Sequence, residues 1–456
     1  MKADIRKNFF ATQIGSILAT AGSAVGLGNI WRFPTVTGQN GGAAFILIYL
    51  FFNIFLGVSC MLTEFIVGRN GKSNPMRSYI KAGNSKLWGV MGLISFLCGS
   101  LILSFYSVVA GWCVYYLYLA LTGGVLGSFD HIQSTFTSLV GTEDIYICCA
   151  ISVLFVILTH LIVVQGVQKG IEKASTYMVP LLILLLIALG VASCSLPGAW
   201  KGLEFLFRPD FSKVTMHTLY DAMSMAFFSL SLGTACLVTY ASYFREDANI
   251  GKYALQISII DILVAILAGI SIFPAAFSVG VQPDAGPSLI FLTIPNVFTN
   301  AFSPAAGYYL SILFYFLLVL AALTSTISMH EIGTSLISQE LKTSRGMAGT
   351  LVTIFCCIMG TLCAMSFSHP DIGLLGSTLF DNLDSVTSKV FMPIGAFATC
   401  MLVGWIMSRR TVLRQLTSNA LYPLPHFMIR LFFFLIRFVC PILIGIIFVV
   451  NIFFTN

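Results

Sequence analysis

Asp261 is the residue around which chemistry could be built. It stands in an apolar run, 253–281, that holds no Lys or Arg. A charged side chain at the centre of a membrane-spanning helix costs about 2.5–3.5 kcal/mol on insertion scales, and such residues are normally partnered and functional. Two chemistries fit: a protonated acid hydrogen-bonded to a neighbour, or an ionised one holding a cation. Two other stretches bring small and polar groups to a similar depth. One is Ala21-Gly22-Ser23-Ala24-Val25-Gly26-Leu27-Gly28-Asn29, and the other is Phe228-Ser229-Leu230-Ser231-Leu232-Gly233-Thr234-Ala235. Such clusters either let helices pack closely through small residues or let a spanning helix unwind, which is tolerated only inside protein or beside a water-filled cavity. If the first stretch unwinds, amides near Leu27 and Gly28 can receive a carboxylate at the positive end of a half-helix. Carbonyls released just before it, those of Gly22, Ala24 and Val25, can coordinate a hard cation. A site offering both suits an anionic group beside an alkali ion.

Other polar residues point nowhere in particular. No Ser-His-Asp, HExxH or phosphate-loop pattern is present, and His160 and His330 lack metal-ligand spacing, so nothing suggests an enzyme. The twelve cysteines are scattered through apolar stretches without a CxxC, as small buried hydrophobes are. Glu64 and Glu331 read as buried structural acids.

The elements that must position these groups are transmembrane helices. The 456 residues are 57% hydrophobic and 9% charged, where soluble domains carry about 25% charged residues. Mean hydropathy is +0.92. Eleven runs can each supply the ~20 residues that cross a ~30 Å hydrocarbon core: 11–36, 41–68, 88–121, 146–166, 172–195, 216–244, 253–281, 305–340, 346–367, 384–407 and 427–453. No soluble domain of useful size is left over. The first run lacks a signal-peptide cleavage site.

The net charge of +6 reflects topology, not a nucleic-acid partner. Lys2, Arg6 and Lys7 precede the first run, and the 69–87 loop has five basic residues and no acid, whereas 122–145 has Asp130, Glu143 and Asp144 and no Lys or Arg. Only 196–215, with Lys201, Arg208 and Lys213, blurs this positive-inside pattern. It predicts a cytoplasmic N-terminus, and eleven crossings put the C-terminus outside. The chain is then one transporter domain over 1–456. Repeats 11–195 and 216–407, of five helices each and inverted in the membrane, are followed by an eleventh helix at 427–453. Interrupted segments at matching positions of two halves mark a transporter's binding site.

The run from Gly22 to Pro34 (GSAVGLGNIWRFP), with Asn40-Gly41-Gly42, Gly68-Arg69-Asn70-Gly71, Phe227–Gly233 (FFSLSLG) and Thr239–Tyr243 (TYASY), resembles the neurotransmitter:sodium symporter family, to about residue 405. Eleven spans resemble its prokaryotic amino-acid branch, which implies the cytoplasmic (inner) membrane. The resemblance implies an all-α bundle of two inverted five-helix repeats, with spans 1 and 6 unwound. It also implies symport of an amino acid with two Na+ ions by alternating access. Sodium site 1 would use Ala24, Asn29, Ser229, Asp261 and the substrate carboxylate. Site 2 would use Gly22, Val25, Ala321, Thr324 and Ser325.

Tyr106, with the Leu27 and Gly28 amides, would bind that carboxylate, and carbonyls around Ala24 and Phe228 would meet the amine, because Ser23 stands where monoamine carriers place an aspartate. Ile102, Phe228, Ser231, Thr234, Thr326 and Met329 would line an apolar pocket, and Thr234, where a leucine-transporting relative has Phe, leaves room for a large aliphatic or aromatic side chain. Many relatives have Asn at 261 and recruit chloride. The fixed charge of Asp261, with Met225 and Ala265 nearby, implies chloride independence. Arg32 and Asp384 match an outer gate. The inner latch departs from the pattern, with Lys7 facing Gln339, and Glu340 or Tyr243 as substitutes. A sodium-dependent amino-acid sensor without transport would present the same binding residues, and the oligomeric state is left open.

Overall fold

The structure, a computed structural model, describes residues 9–141, 144–280, 289–373 and 376–453. Every element among them is helical. Apart from single turns at Phe211–Lys213, Leu289–Thr293 and Pro370–Ile372, in chain order they are α1 (Gln13–Ala24), α2 (Gly28–Gln39), α3 (Ala43–Gly71), α4 (Pro75–Gly83), α5 (Lys86–Thr122), α6 (Phe129–Val140), α7 (Ile145–Val163), α8 (Val167–Cys194), α9 (Ala199–Phe207), α10 (Met216–Ser229), α11 (Cys236–Ala241), α12 (Ile250–Ser278), α13 (Ile294–Asn300), α14 (Pro304–Glu340), α15 (Arg345–Met365), α16 (Leu379–Ile406), α17 (Arg409–Leu416) and α18 (His426–Asn451). Nine are long and apolar enough to cross a membrane. The bent pair α1–α2, angled at 52°, makes a tenth. The expected sixth span, 216–244, is interrupted into two short helices, α10 of 14 residues and α11 of 6.

Helix starts in these loops are fixed by side-chain caps, which supply acceptors for N–H groups that have no partner inside the helix. Thr12 accepts from the Gly15 amide, Asn249 from Lys252, Ser303 from Ala306 and Ser344 from Met347. Thr215 and Thr218 form a reciprocal capping box at the start of α10. The outer helices are apolar on both sides. On α7, Ile147, Leu154, Leu158 and Leu161 are exposed at helical spacing, while Cys148, Phe155, Val156 and Val163 are buried. One face meets protein and the other meets lipid, which is how an all-round hydrophobic helix is accommodated.

At the centre, α1, α3, α10–α12 and α14 converge. Helix α1 ends at Ala24, Val25 is extended, and regular winding resumes at Gly28. Helix α10 ends at Ser229 and α11 starts at Cys236. Within the second break Ser231, Gly233 and Ala235 all have positive φ, at 53°, 81° and 59°. Two of these lack glycine's freedom, and such strain persists only where the surroundings over-determine it. The surroundings here are close: a Cβ on Gly233 would lie 2.0 Å from the Met392 carbonyl oxygen of α16. Any larger residue at 233 forces that contact apart.

Candidate functional site

The Asp261 carboxylate is fully buried and surrounded by neutral donors. Its Oδ1 accepts from Asn29 Nδ2 at 2.7 Å. Its Oδ2 accepts from the Tyr49 hydroxyl at 2.9 Å, from Asn53 Nδ2 at 2.9 Å and from the Ser229 hydroxyl. Four helices supply the five residues: α2, α3, α10 and α12. Asn53 is oriented by Ser258, whose hydroxyl donates to Asn53 Oδ1 at 2.6 Å. Asn29 Oδ1 accepts from the Gly26 amide at 3.2 Å, which ties the carboxylate to the first helix break. No ion pair among the described residues includes Asp261. Were the acid ionised, neutral donors alone would leave its buried negative charge short of compensation. The carboxylate and the Tyr49 and Ser229 hydroxyls are oxygens of the kind a hard cation takes as ligands.

The sequence reading grouped Asn29, Ser229 and Asp261, and the structure brings them together. It did not single out Tyr49 and Asn53. They sit four residues apart on α3, which puts both on one face, and an Asn inside the apolar run 41–68 was the available signal. Ala24, expected beside them, is the last residue of α1 and is buried.

The two breaks touch. The Ser231 hydroxyl donates to the Ser23 carbonyl at 2.9 Å, and Thr234 donates to the Ser231 carbonyl at 2.7 Å. The Gly233 amide, freed by the second break, donates to Glu64 Oε1 at 2.7 Å. Thus Glu64, read as structural, satisfies backbone that unwinding leaves bare.

A second oxygen cluster lies where α1 meets α14. The Thr324 hydroxyl is 3.0 Å from the Val25 carbonyl and 2.9 Å from the Ala321 carbonyl. Ser325 Oγ crowds Gly26, since a Cβ there would fall 2.1 Å from it and 3.1 Å from the Tyr106 hydroxyl. A Cβ on Gly22 would lie 3.5 Å from the Thr324 Cβ. All five residues expected to form a second cation site are therefore gathered where α1 ends against α14.

The Tyr106 hydroxyl accepts from the Leu27 amide at 3.0 Å. A carboxylate could displace that bond and take both donors. Of the expected pocket residues, Ile102, Thr234, Thr326 and Met329 are buried and Phe228 is half-buried. The Thr326 hydroxyl is engaged with Thr159 of α7 at 2.9 Å and with the Leu323 carbonyl, which directs it to the scaffold. The Phe228 ring lies against Gly28, and the Arg32 guanidinium stacks on it, 4.2 Å from its centroid. Above that ring is a cavity of about 150 Å3 lined by Arg32, Asp384, Tyr220 and Asp221 among others. Arg32 and Asp384 face one cavity, but no ion pair joins them among the described residues.

At the opposite end, Glu331 is fully buried and salt-bridged to Arg345. It also accepts from the Tyr243 hydroxyl at 2.6 Å. Arg345 further donates to the Val163 carbonyl at 2.8 and 3.0 Å. The segment entering α1 is held there too. The Phe10 amide donates to the Tyr243 carbonyl at 3.1 Å, and the Ala11 and Thr12 amides donate to Glu172 at 2.7 and 3.0 Å. Glu340 pairs with Arg77 at 2.7 Å and accepts from Asn74, while Gln339 accepts from Ser73 and from the Asn74 amide. Both therefore bind the α3–α4 connection. Lys7 lies outside the described residues.

Nine described helices long and apolar enough to cross a membrane, around a bent pair, make this a multi-pass integral membrane protein, and comparisons with known proteins give its class. The sequence profile described as the Sodium:neurotransmitter symporter family matches residues 6–138 and 127–456. An uncharacterized sodium-dependent transporter of Bacillus subtilis, YhdH, is 37% identical over 441 residues, 96% of each chain. An uncharacterized sodium-dependent transporter of Haemophilus influenzae is 29% identical, covering 98% of this chain and 99% of its own. The crystal structure of MhsT in complex with L-phenylalanine superposes with a TM-score of 0.88 at 36% identity, covering 97% of this chain and 99% of that one. The chain belongs to the sodium:neurotransmitter symporter family, whose members are sodium-dependent transporters and not enzymes.

Proposed function

We propose that this protein imports a hydrophobic or aromatic L-amino acid across a prokaryotic inner membrane, coupled to two sodium ions and independent of chloride. The observation that carries the reading is the buried Asp261 carboxylate, which is matched only by neutral donors beside the first helix break. Sodium at that site would join Asp261, Asn29, Ser229, the Ala24 carbonyl and the substrate carboxylate. The second ion would sit among Gly22, Val25, Ala321, Thr324 and Ser325. The charge that relatives obtain from chloride is supplied by Asp261 itself. The solved neighbour's L-phenylalanine and the apolar wall of Ile102, Phe228 and Met329 support an apolar side chain.

Alternating access then has a physical order. Sodium neutralises Asp261 and fixes the first break. The amino acid takes the Tyr106 hydroxyl and the Leu27 and Gly28 amides. Arg32 then leaves the Phe228 ring to meet Asp384 and close the outer cavity, and opening the inner end requires releasing the Glu331–Arg345–Tyr243 cluster. Each sodium moved inward at 100 mV contributes about 2.3 kcal/mol, so two could sustain roughly 10³-fold accumulation of a zwitterion.

The test is binding of radiolabelled L-amino acids to purified protein in sodium and in potassium buffer, followed by uptake into vesicles. Saturable binding in sodium alone, with concentrative uptake unchanged when gluconate replaces chloride, is the expected result. Equal binding in both cations would overturn the sodium assignment, and binding without accumulation would make the protein a sensor.

A further inference from the structure

The last part of the chain is rich in arginine and holds no acid of its own. No Asp or Glu follows Asp384, yet Arg409, Arg410, Arg414, Arg430 and Arg437 all do. Three of these lie on the short helix α17 and Arg430 lies four residues into α18, near membrane ends where the positive-inside tendency accounts for them. Arg437 does not. It sits eleven residues beyond the start of α18 at His426, about 16 Å along the helix axis, in the run Leu431–Cys440 where every other residue is apolar. An intramembrane arginine without a carboxylate partner calls for a function or a ligand.

Its surroundings form a site. Arg437 Nε donates to the Gly404 carbonyl of α16 at 2.6 Å. Both helices widen into a π-turn at this level, at Leu402–Ile406 and Leu435–Val439, and such turns recur at functional positions. The guanidinium stacks on Trp405 and Phe433, with centroids at 5.4 and 5.0 Å, and Arg409 stacks on the same Phe433 ring at 5.5 Å. Two cations thus share one aromatic ring, and no ion pair among the described residues includes either. A guanidinium has five N–H donors. The Nε–H of Arg437 is used by Gly404, which leaves the two Nη groups to make the bidentate contact that suits a phosphate. Around the pair, Trp405, Ile406, Phe434 and Phe438 are exposed, so the rim of the site is apolar.

We propose that the surface where the end of α16 meets α18 binds the phosphodiester headgroup of an anionic phospholipid, held by Arg437 and Arg409. Basic pockets between membrane helices take anionic lipid heads. The lipid's acyl chains lie along Trp405, Phe434 and Phe438, and its phosphate relieves the repulsion between the two guanidinium groups. Charge complementarity and the apolar rim together select a lipid over a free anion, which would leave the rim uncovered.

The experiment is native mass spectrometry of the full-length purified protein with phosphatidylglycerol, phosphatidylethanolamine or inorganic phosphate added, together with thermal unfolding under the same conditions. Phosphatidylglycerol should remain bound and raise the unfolding midpoint, and the other two should do neither. Arg437→Gln and Arg409→Gln should each weaken retention about fivefold, and together more steeply, while Arg414→Gln changes it little. Arg409→Gln lies at the exposed edge of the site and carries the test if Arg437→Gln does not fold. Equal retention of phosphatidylethanolamine, stabilisation by phosphate alone, or lipid binding indifferent to both arginines would overturn the proposal.

Discussion

Asp261 and Glu331 are both fully buried carboxylates in the same bundle, and their partners differ in kind. Glu331 has a guanidinium, Arg345, and a tyrosine hydroxyl. Asp261 has two amides and two hydroxyls but no positive charge. A buried acid paired with arginine is electrically complete and can act as a clamp between helices. One surrounded only by neutral donors is complete when a cation arrives. The difference separates a part that holds the bundle together from a part that binds.

Breaking the paired site should have the largest effect. Arg345→Met leaves Glu331 buried without its cation, which should cost about 3–5 kcal/mol. Thermal unfolding in detergent would show a large fall in midpoint, and Glu331→Leu combined with Arg345→Met should restore most of it. An unchanged midpoint for the single variant would mean the pair is not a clamp. Asp261→Asn should leave stability near wild type or better but weaken sodium-dependent substrate binding roughly 10²-fold, the scale of losing one partner of a desolvated charged contact. In uptake measurements the same variant should acquire a requirement for chloride, and wild-type sodium affinity in it would sink the cation reading.

Tyr49→Phe removes one neutral donor and should weaken sodium affinity by about 1–2 kcal/mol, roughly tenfold. Thr324→Val should have the smallest effect, about fivefold, because the Val25 and Ala321 carbonyls remain. If Thr324→Val proves the more damaging of the two, the second cluster, not Asp261, dominates coupling.

Much of this could be read from residue types. Asp261 announced itself because an acid in an apolar run has few bland explanations. The breaks at Gly26 and Gly233 were legible because glycine and serine clusters recur at matching places. Tyr49 and Asn53 escaped notice because 41–68 reads as a continuous hydrophobic span, in which one amide weighs little against so many apolar side chains. The short helices α4, α6, α9, α13 and α17 lie in segments read as loops or turns, too short and mixed for periodicity to register. Arg32 and Asp384 were expected as an outer gate pair and line one cavity, but whether two charges meet depends on conformation, which composition does not encode. Glu340 shows a related limit, since its partner Arg77 lies far away in the chain, on α4, in a segment whose charge was read only as topology.

The two longest helices, α5 and α14, have 37 residues each and pack against one another more extensively than any other pair. At 1.5 Å per residue each is about 55 Å long, against a hydrocarbon layer of about 30 Å. They therefore cross with room to spare, and neither end depends on where the lipid stops. Tyr106 and Thr324, which both reach the first helix break, through the Leu27 amide and the Val25 carbonyl, are carried on this pair. A bilayer that thins or thickens by a few ångströms would slide along the outside of α5 and α14 without changing the distance between those two residues, so the binding site keeps its own ruler.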